Sequence, residues 1–323
     1  MLQTKTQPDN LSPDMANLPM VAGVPLQMPG GALANWLDQR LHLQHGPIDL
    51  IISADGATEV VINAFARAAD AFDGLLAVLV EELPILRAPA NASPPPDLEG
   101  LVAKRMYEAI RPHLHRYESD DFITPMAAVA GSVADYILNA MGRGLDRAIV
   151  NNGGDIALHL SKGTFFDIGI ADDQDVYCSN FTKKASGKFV GNMPLKGQIR
   201  LSHQDKIGGV ATSGWRGRSH SLGIADSVTV LATTAADADV AATLIANAIS
   251  VPSPAVVRQP ANELAPDSDL QDRLVTVAVG PLTDDEIYRA LAAGSSLAAA
   301  MHRDGQIAAV YARLQGRSFM IGR

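Results

Sequence analysis

A single cysteine, Cys178, occurs in the 323 residues. That excludes an internal disulfide and a multi-cysteine zinc site, and it makes the reducing cytoplasm the expected location. Asp175 and Tyr177 beside it bring no positive charge to activate the thiol, so Cys178 reads as structural. Basic residues are outnumbered, 26 Lys and Arg against 35 Asp and Glu, and the net charge of -9 excludes a whole-surface nucleic-acid footprint while leaving room for a local basic pocket. No apolar run approaches the roughly 20 residues a membrane helix needs. The opening MLQTKTQPDNLSPDMANLPM has neither the basic start nor the unbroken apolar stretch of a signal peptide. Nucleic acid and membrane are therefore both unexpected partners.

What is present is apolar bulk. A hydrophobic content of 47% over 323 residues rules out a largely disordered chain and provides for one large or two ordinary domains. Residues 1–30 carry Pro8, Pro13, Pro19, Pro25 and Pro29, which predicts an extended arm without regular structure. Met15, Met20 and Val21 make that arm more apolar than a solvated tail requires, and a homodimer packed through it is the expectation. Residues 31–323 are expected to form one domain of α/β (α+β) class, with a polar excursion over 172–206 that holds Lys183, Lys184, Lys188 and Lys196.

Within that domain Leu33–Leu37 reads as a short turn. Arg40–His45 and Ile48–Ser53 read as strands. A helix is predicted over Thr58–Leu83 and another over Leu98–His113. Thr124 followed by Pro125 reads as the start of a third, whose Ala127, Ala128, Ala130, Gly131 and Ala134 leave so little bulk that another backbone or a flat ligand can approach. A strand over 148–150 then reaches Asn151, Asn152, Gly153, Gly154 and Asp155, a turn with more amide and carboxylate groups than turning alone requires. Ile156–Leu160 and Phe165–Ile170 read as a hairpin about Lys162-Gly163.

The stretch from Gly208 to Asn247 carries the densest chemistry. Gly208, Gly209 and Gly214 let a loop bend, and Thr212, Ser213, Arg216, Arg218, Ser219 and His220 surround it with donors suited to a small anion. The same residues also fit a solvated turn. Ser227–Ala232 has the β-branched density of a buried strand, which puts Asp226 at its mouth. Thr234 with Asp237 reads as the N-cap of a helix on which Asp239 and Thr243, four residues apart, share a face. Two oxygen donors on a rigid face suit Mg²⁺, while an acid near a helix start also suits a cap. His220, which titrates near neutrality when unperturbed, is either a general acid/base or a loop histidine bonded to backbone.

The order of the motifs PMAAVAG (125–131), NNGGDI (151–156), GGVATSG (208–214), SHSLGIADSVTVLA (219–232), ADVAATLIANAI (238–249) and DSDLQDRLVTVAVGPL (267–282) resembles the ApbE-like superfamily of FAD:protein FMN transferases. It is more similar still to the branch called uncharacterised protein family 0280. The resemblance implies antiparallel sheets packed against helices, related to the T-fold. It implies that Gly153, Gly154 and Asp155, with Ala211, Thr212, Ser213 and Gly214, hold FAD or FMN, and that Asp239 and Thr243 contribute to Mg²⁺ binding. The chain departs from the transferases after the ATSG segment, where His220 leads directly into Ser-Leu-Gly-Ile-Ala-Asp226 without their Asp-Pro element. The readings that follow are an enzyme acting on a small anionic or nucleotide-like ligand, a non-catalytic flavin or metabolite carrier, and FMN transfer itself.

Overall fold

The alternation of apolar residues along the strands decides the layering. The computed structural model describes residues 2–4, 25–90, 97–116, 122–170 and 197–322. Its strands are β1 (Leu2–Thr4), β2 (Leu26–Gln27), β3 (Leu33–Leu37), β4 (Arg40–His45), β5 (Ile48–Asp55), β6 (Arg147–Asn152), β7 (Asp155–Leu160), β8 (Phe165–Ile170), β9 (Gly197–Ser202), β10 (Gly209–Ser213), β11 (Ser227–Ala232), β12 (Val256–Pro260), β13 (Leu274–Val279), β14 (Ala309–Leu314) and β15 (Arg317–Ile321). Ten of them form one antiparallel sheet in the order β15-β14-β11-β10-β7-β6-β5-β4-β3-β2. A three-stranded sheet β1-β8-β9 and a ribbon β12-β13 complete the set.

Both faces of the central strands are apolar, and successive residues go to different layers. Ala148 and Val150 of β6, Ala157 of β7, Ala211 of β10 and Val228 and Val230 of β11 face the helices. Ile149, Ile156, Leu158, Val210 and Leu231 face the other way, where Phe166, Ile168 and Leu201 of the three-stranded sheet meet them. The helical layer comprises α1 (Thr58–Phe72), α2 (Leu101–Ile110), α3 (Val129–Ala140), α4 (Ala235–Ala248) and α5 (Asp284–Arg303). Among the described residues no helix is long and apolar enough to cross a membrane.

Several elements differ from their sequence pattern for identifiable reasons. Leu33–Leu37 is a strand, not a turn, paired residue for residue with β4. The long helix expected to Leu83 breaks after Phe72, because Gly74 takes a left-handed φ of 82° and starts a separate short helix at Leu75. β7 and β8 do not form a hairpin: β7 pairs with β6 and β10, whereas β8 pairs with β1 and β9, so Lys162-Gly163 carries the chain from one sheet to the other. Residues 197–202 of the expected polar excursion form β9, with Ile199 and Leu201 against the second core. Its earlier part, with Cys178 and the four lysines, lies outside the described residues, as does most of the N-terminal arm; the described parts of that arm include β1 and β2. The Gly208 segment is strand β10, in register with β11 from Gly209↔Ala232 to Ser213↔Val228. Glycine is needed there because α4 starts directly against it: a Cβ on Gly209 would lie 2.1 Å from the Thr234 carbonyl.

Candidate functional site

Helices α3 and α4 meet start to start. Gly131 is the contact point, since a Cβ there would lie 2.3 Å from the Ala235 carbonyl oxygen. The close approach allowed by the small-residue helix is thus to another backbone at this position. It lets each helix cap the other. The Asp135 carboxylate of α3 accepts from the Ala235 and Ala236 N–H groups of α4, each at 3.0 Å. The Asp239 carboxylate of α4 accepts from the Gly131 N–H of α3 at 2.9 Å and also from Ala130 N–H. Each carboxylate thereby sits on the positive end of the partner helix's dipole. Thr234 caps α4 as its sequence implies, accepting from the Asp237 N–H.

The β6-β7 hairpin delivers a third carboxylate to the same place. Its two-residue turn needs positive φ twice, and Gly153 and Gly154 supply 65° and 121°. Asn151 closes the turn by accepting from Gly154 N–H, and Asn152 donates to the Ala130 carbonyl, which ties the hairpin to the start of α3. Asp155 follows, accepting from the Thr212 N–H at 3.4 Å. Arg218 reaches back over this turn. Its guanidinium occupies the space a side chain on Gly153 would fill, and it lies close enough to Asp155 to favour the charged carboxylate.

Two forces oppose each other at these acids. Burial pushes the Asp155 carboxyl up to about 7, against the Thr212 hydrogen bond and the Arg218 charge. Burial, and then the neighbouring Asp155, push Asp239 well above the usual carboxylate range, against the two backbone donors of α3. Neither residue is sealed off, however. Both keep intermediate solvent exposure, as do Ala130, Thr212 and Ser213, so these two acids are closely surrounded by protein atoms at a place that solvent still reaches, called the recess below. Two hollows of about 310 and 850 Å³ lie elsewhere, beside α1 and α2 and beside α5 and β15.

Set beside known proteins, residues 34–320 match the family model described as AbpE bacteria. The chain belongs to that family. It is 33% identical over 184 residues to a UPF0280 protein of Methanopyrus kandleri, covering 56% of this chain and 64% of that one. A UPF0280 protein of Methanothermobacter thermautotrophicus is 35% identical over 161 residues, 49% of this chain and 55% of that one. The matches thus span between about half and two thirds of these relatives' length. The apo form of Pseudomonas stutzeri flavinyl transferase ApbE is similar at 15% identity and a TM-score of 0.37, over 90% of this chain and 93% of that one.

Of the candidate residues in this AbpE-family chain, the structure gathers Asn152, Gly153, Gly154, Asp155, Thr212, Arg218 and Asp239 around one recess. Thr212 contributes its backbone N–H, because its hydroxyl turns to Thr229 on the opposite face of the sheet. Ala211 is buried in the helix-side core, and Ser213, two residues on, shares its face. Thr243 stands one helical turn beyond Asp239 and is partly exposed. Gly214 packs on the Ala225 and Asp226 carbonyls.

Asp226 and Arg216 are engaged elsewhere. Arg216 lies 3.4 Å from Asp226 and stacks on Trp215, while Asp226 accepts from the Gln315 N–H in the β14-β15 turn. Ser219 and His220 are exposed. The next residue, Ser221, is tied to the Asn247 side chain and to Thr276 N–H, near the far end of α4. Asp135 was missed by sequence reasoning. Its one visible signal is a lone acid in the otherwise small and apolar run Val129–Ala140.

Proposed function

We propose that the chain binds a small anionic ligand of nucleotide or flavin type, FAD or FMN, in the recess above Asp155 and Asp239, together with Mg²⁺. The observation that carries this reading is the pairing of two carboxylates that are low in the protein, mutually repelling and still open to solvent, with Arg218 beside them. Such a pair is costly unless a cation or a proton neutralises it. The donor set fits Mg²⁺, a hard cation that takes one or two carboxylates and completes its octahedron with hydroxyl, water and phosphate oxygens. Asp239, Thr243 and Asp155 would hold it, and when bound it would supply charge neutralisation and an anchor for phosphate. The Arg218 guanidinium, packed over the Gly153 turn, supplies a phosphate-binding fork beside the carboxylates.

A second reading, a non-catalytic flavin or metabolite carrier, is favoured by the position of His220. Ser221 bonds Asn247, two turns beyond Asp239 and roughly 12 Å further along α4 by helical rise. Nothing in that arrangement aims His220 at the carboxylates. FMN transfer from FAD is the third reading, carried by the motif resemblance alone.

Calorimetric titration with FAD, FMN and ADP, each with and without Mg²⁺, separates these readings from one another when combined with an assay for AMP release in the presence of a protein acceptor. Binding that needs Mg²⁺ and is lost in Asp239→Asn supports the proposed site. Binding without AMP release supports the carrier, and an unchanged rate of AMP release in His220→Ala removes that histidine from any catalytic role. Absence of binding by all three ligands at millimolar concentration would refute the nucleotide reading.

A further inference from the structure

Arg218 belongs to a short span held at both ends. Arg216, Gly217, Arg218, Ser219 and His220 are all exposed, whereas the residues on either side are fastened. On one side Trp215 N–H donates to the Ala225 carbonyl at 3.0 Å, which closes the neck of the loop 215–225, and Gly214 packs on the Ala225 and Asp226 carbonyls. On the other side the Ser221 carbonyl accepts from Thr276 N–H of β13 at 2.8 Å, and the Ser221 hydroxyl and Leu222 N–H donate to the Asn247 side chain of α4. Arg218 is the middle residue of the exposed five, and its guanidinium packs on the Gly153 turn of a different hairpin.

A brace at the neck holds the residue from which this span starts. Asp226 accepts from Gln315 N–H at 2.5 Å through one carboxylate oxygen and faces the Arg216 guanidinium at 3.4 Å with the other. The carboxylate has a firm base, because the Gln315 side chain donates to the Gly280 carbonyl at 2.7 Å and accepts from Leu282 N–H at 3.0 Å. Arg216 also stacks on Trp215, the residue that closes the neck. Gly217 N–H donates to the Gly214 carbonyl at 3.1 Å, which makes Arg216 a central residue of a tight turn. Holding Arg216 therefore holds the turn that Arg218 follows. The Arg216 side chain is 37% exposed, and an ion pair in that setting adds little to stability.

We infer that Asp226 is a positioning residue: through Arg216 it fixes the turn from which Arg218 reaches the Gly153 turn, and so pre-organises the guanidinium for the anionic group of the ligand. The inference rests on the ligand reading proposed above for what Arg218 binds, whereas the placement of Arg218 is a property of the ligand-free chain. A long side chain left to be ordered at the moment of binding costs roughly 2–12-fold in affinity, which sets the size of the effect.

Titration calorimetry with ADP and Mg²⁺ around a double-mutant cycle tests it. Asp226→Asn, which keeps an acceptor for Gln315 N–H, and Arg216→Gln are each expected to weaken binding roughly 2–12-fold in the wild-type background and to leave it unchanged in an Arg218→Ala background. Tm should move by no more than about 2 °C in either variant. Arg289→Gln, which removes an exposed Arg–Asp pair on α5, is the control and should alter nothing. The Arg218 Nε–H resonance, assigned with Arg218→Lys, gives a readout without ligand: Asp226→Asn and Arg216→Gln should shift it and Arg289→Gln should not. Unchanged affinity in both variants, equal losses in the two backgrounds, or an unmoved resonance overturns the inference. A wild type that binds no ADP refutes the ligand reading instead, and the resonance then decides the positioning by itself.

Discussion

Replacing Asp135 by alanine removes the acceptors of the Ala235 and Ala236 N–H groups from the first turn of α4 at once. Ala235 and Ala236 are fully buried, so water cannot take the place of the lost carboxylate. Each orphaned N–H costs about 1–3 kcal/mol. Part of that is returned, because burial pushes the Asp135 carboxyl above its ordinary range and its removal ends that penalty. Arg105, at 3.4 Å from Asp135, keeps Asp237 at 3.8 Å as a second partner and adds little to the loss. The net expectation is a destabilisation of about 2–4 kcal/mol. With an unfolding entropy of ~2.1 cal/mol/K per residue, a chain of 323 residues loses roughly 3–6 °C of Tm. Asp135→Asn retains one acceptor oxygen and should lose about half as much. Calorimetric melts at pH 7, with urea midpoints as a second measure, check both values. A Tm within about 1 °C of wild type for Asp135→Ala would refute the reciprocal capping account, and equal losses for the two variants would show that the charge, not the count of acceptors, matters.

Gly131→Ala drives a methyl group to within 2.3 Å of the Ala235 carbonyl, where backbone cannot yield cheaply, so a loss of about 3 kcal/mol or more is expected in the same melts. The pH dependence follows from Asp155, whose folded-state value of about 7 lies above its ordinary 3.8. The folded state therefore holds a proton that the unfolded chain releases between those values, and the stability this confers is complete below about 3.8 and is lost as pH rises through 7. Melts at pH 5.5 should exceed those at pH 8, Asp155→Asn should flatten the difference, and Mg²⁺ should raise Tm at pH 8 more than at pH 5.5. Arg218→Ala should weaken nucleotide binding by at least tenfold in titration calorimetry while shifting Tm little, since the side chain is exposed; unchanged affinity would remove Arg218 from the site.

Local chemistry made some of this architecture readable in sequence. Ser227–Ala232 is a strand in the structure as its β-branched residues require, and Thr234 caps α4. Several of the failures share a cause, which is that packing and pairing partners distant in sequence leave no local trace. Strand β10 was hidden because its glycines look like a loop, although they serve close packing against α4. The β7-β8 connection looked like a hairpin because strand period and turn residues say nothing about which sheet each strand joins. The acids of the recess illustrate the same limit. Spacing relates Asp239 to Thr243 within one helix, but the apposition of Asp239 with Asp155 depends on the crossing of α3 and α4, and so does the role of Asp135.

The short connection after Arg218 explains how this chain differs from the transferase pattern in physical terms. Gly223 packs where a Cβ would lie 1.9 Å from the Ala246 carbonyl, and Ile224 N–H donates to the Ile249 carbonyl. The Ser221 hydroxyl and the Leu222 N–H both donate to the Asn247 side-chain oxygen. Residues 221–224 are thus fastened to the C-terminal end of α4, while Asp239 sits near its N-terminal end. His220 immediately precedes that fastening, while Arg218, two residues earlier, brings a positive charge back to the Gly153 turn. The site combines carboxylates, backbone donors and a guanidinium, and among the described residues no imidazole bonds to Asp155 or Asp239. That combination suits holding an anion through a cation better than proton transfer by histidine, and it is why ligand affinity, measured separately from turnover, is the more informative quantity for this site.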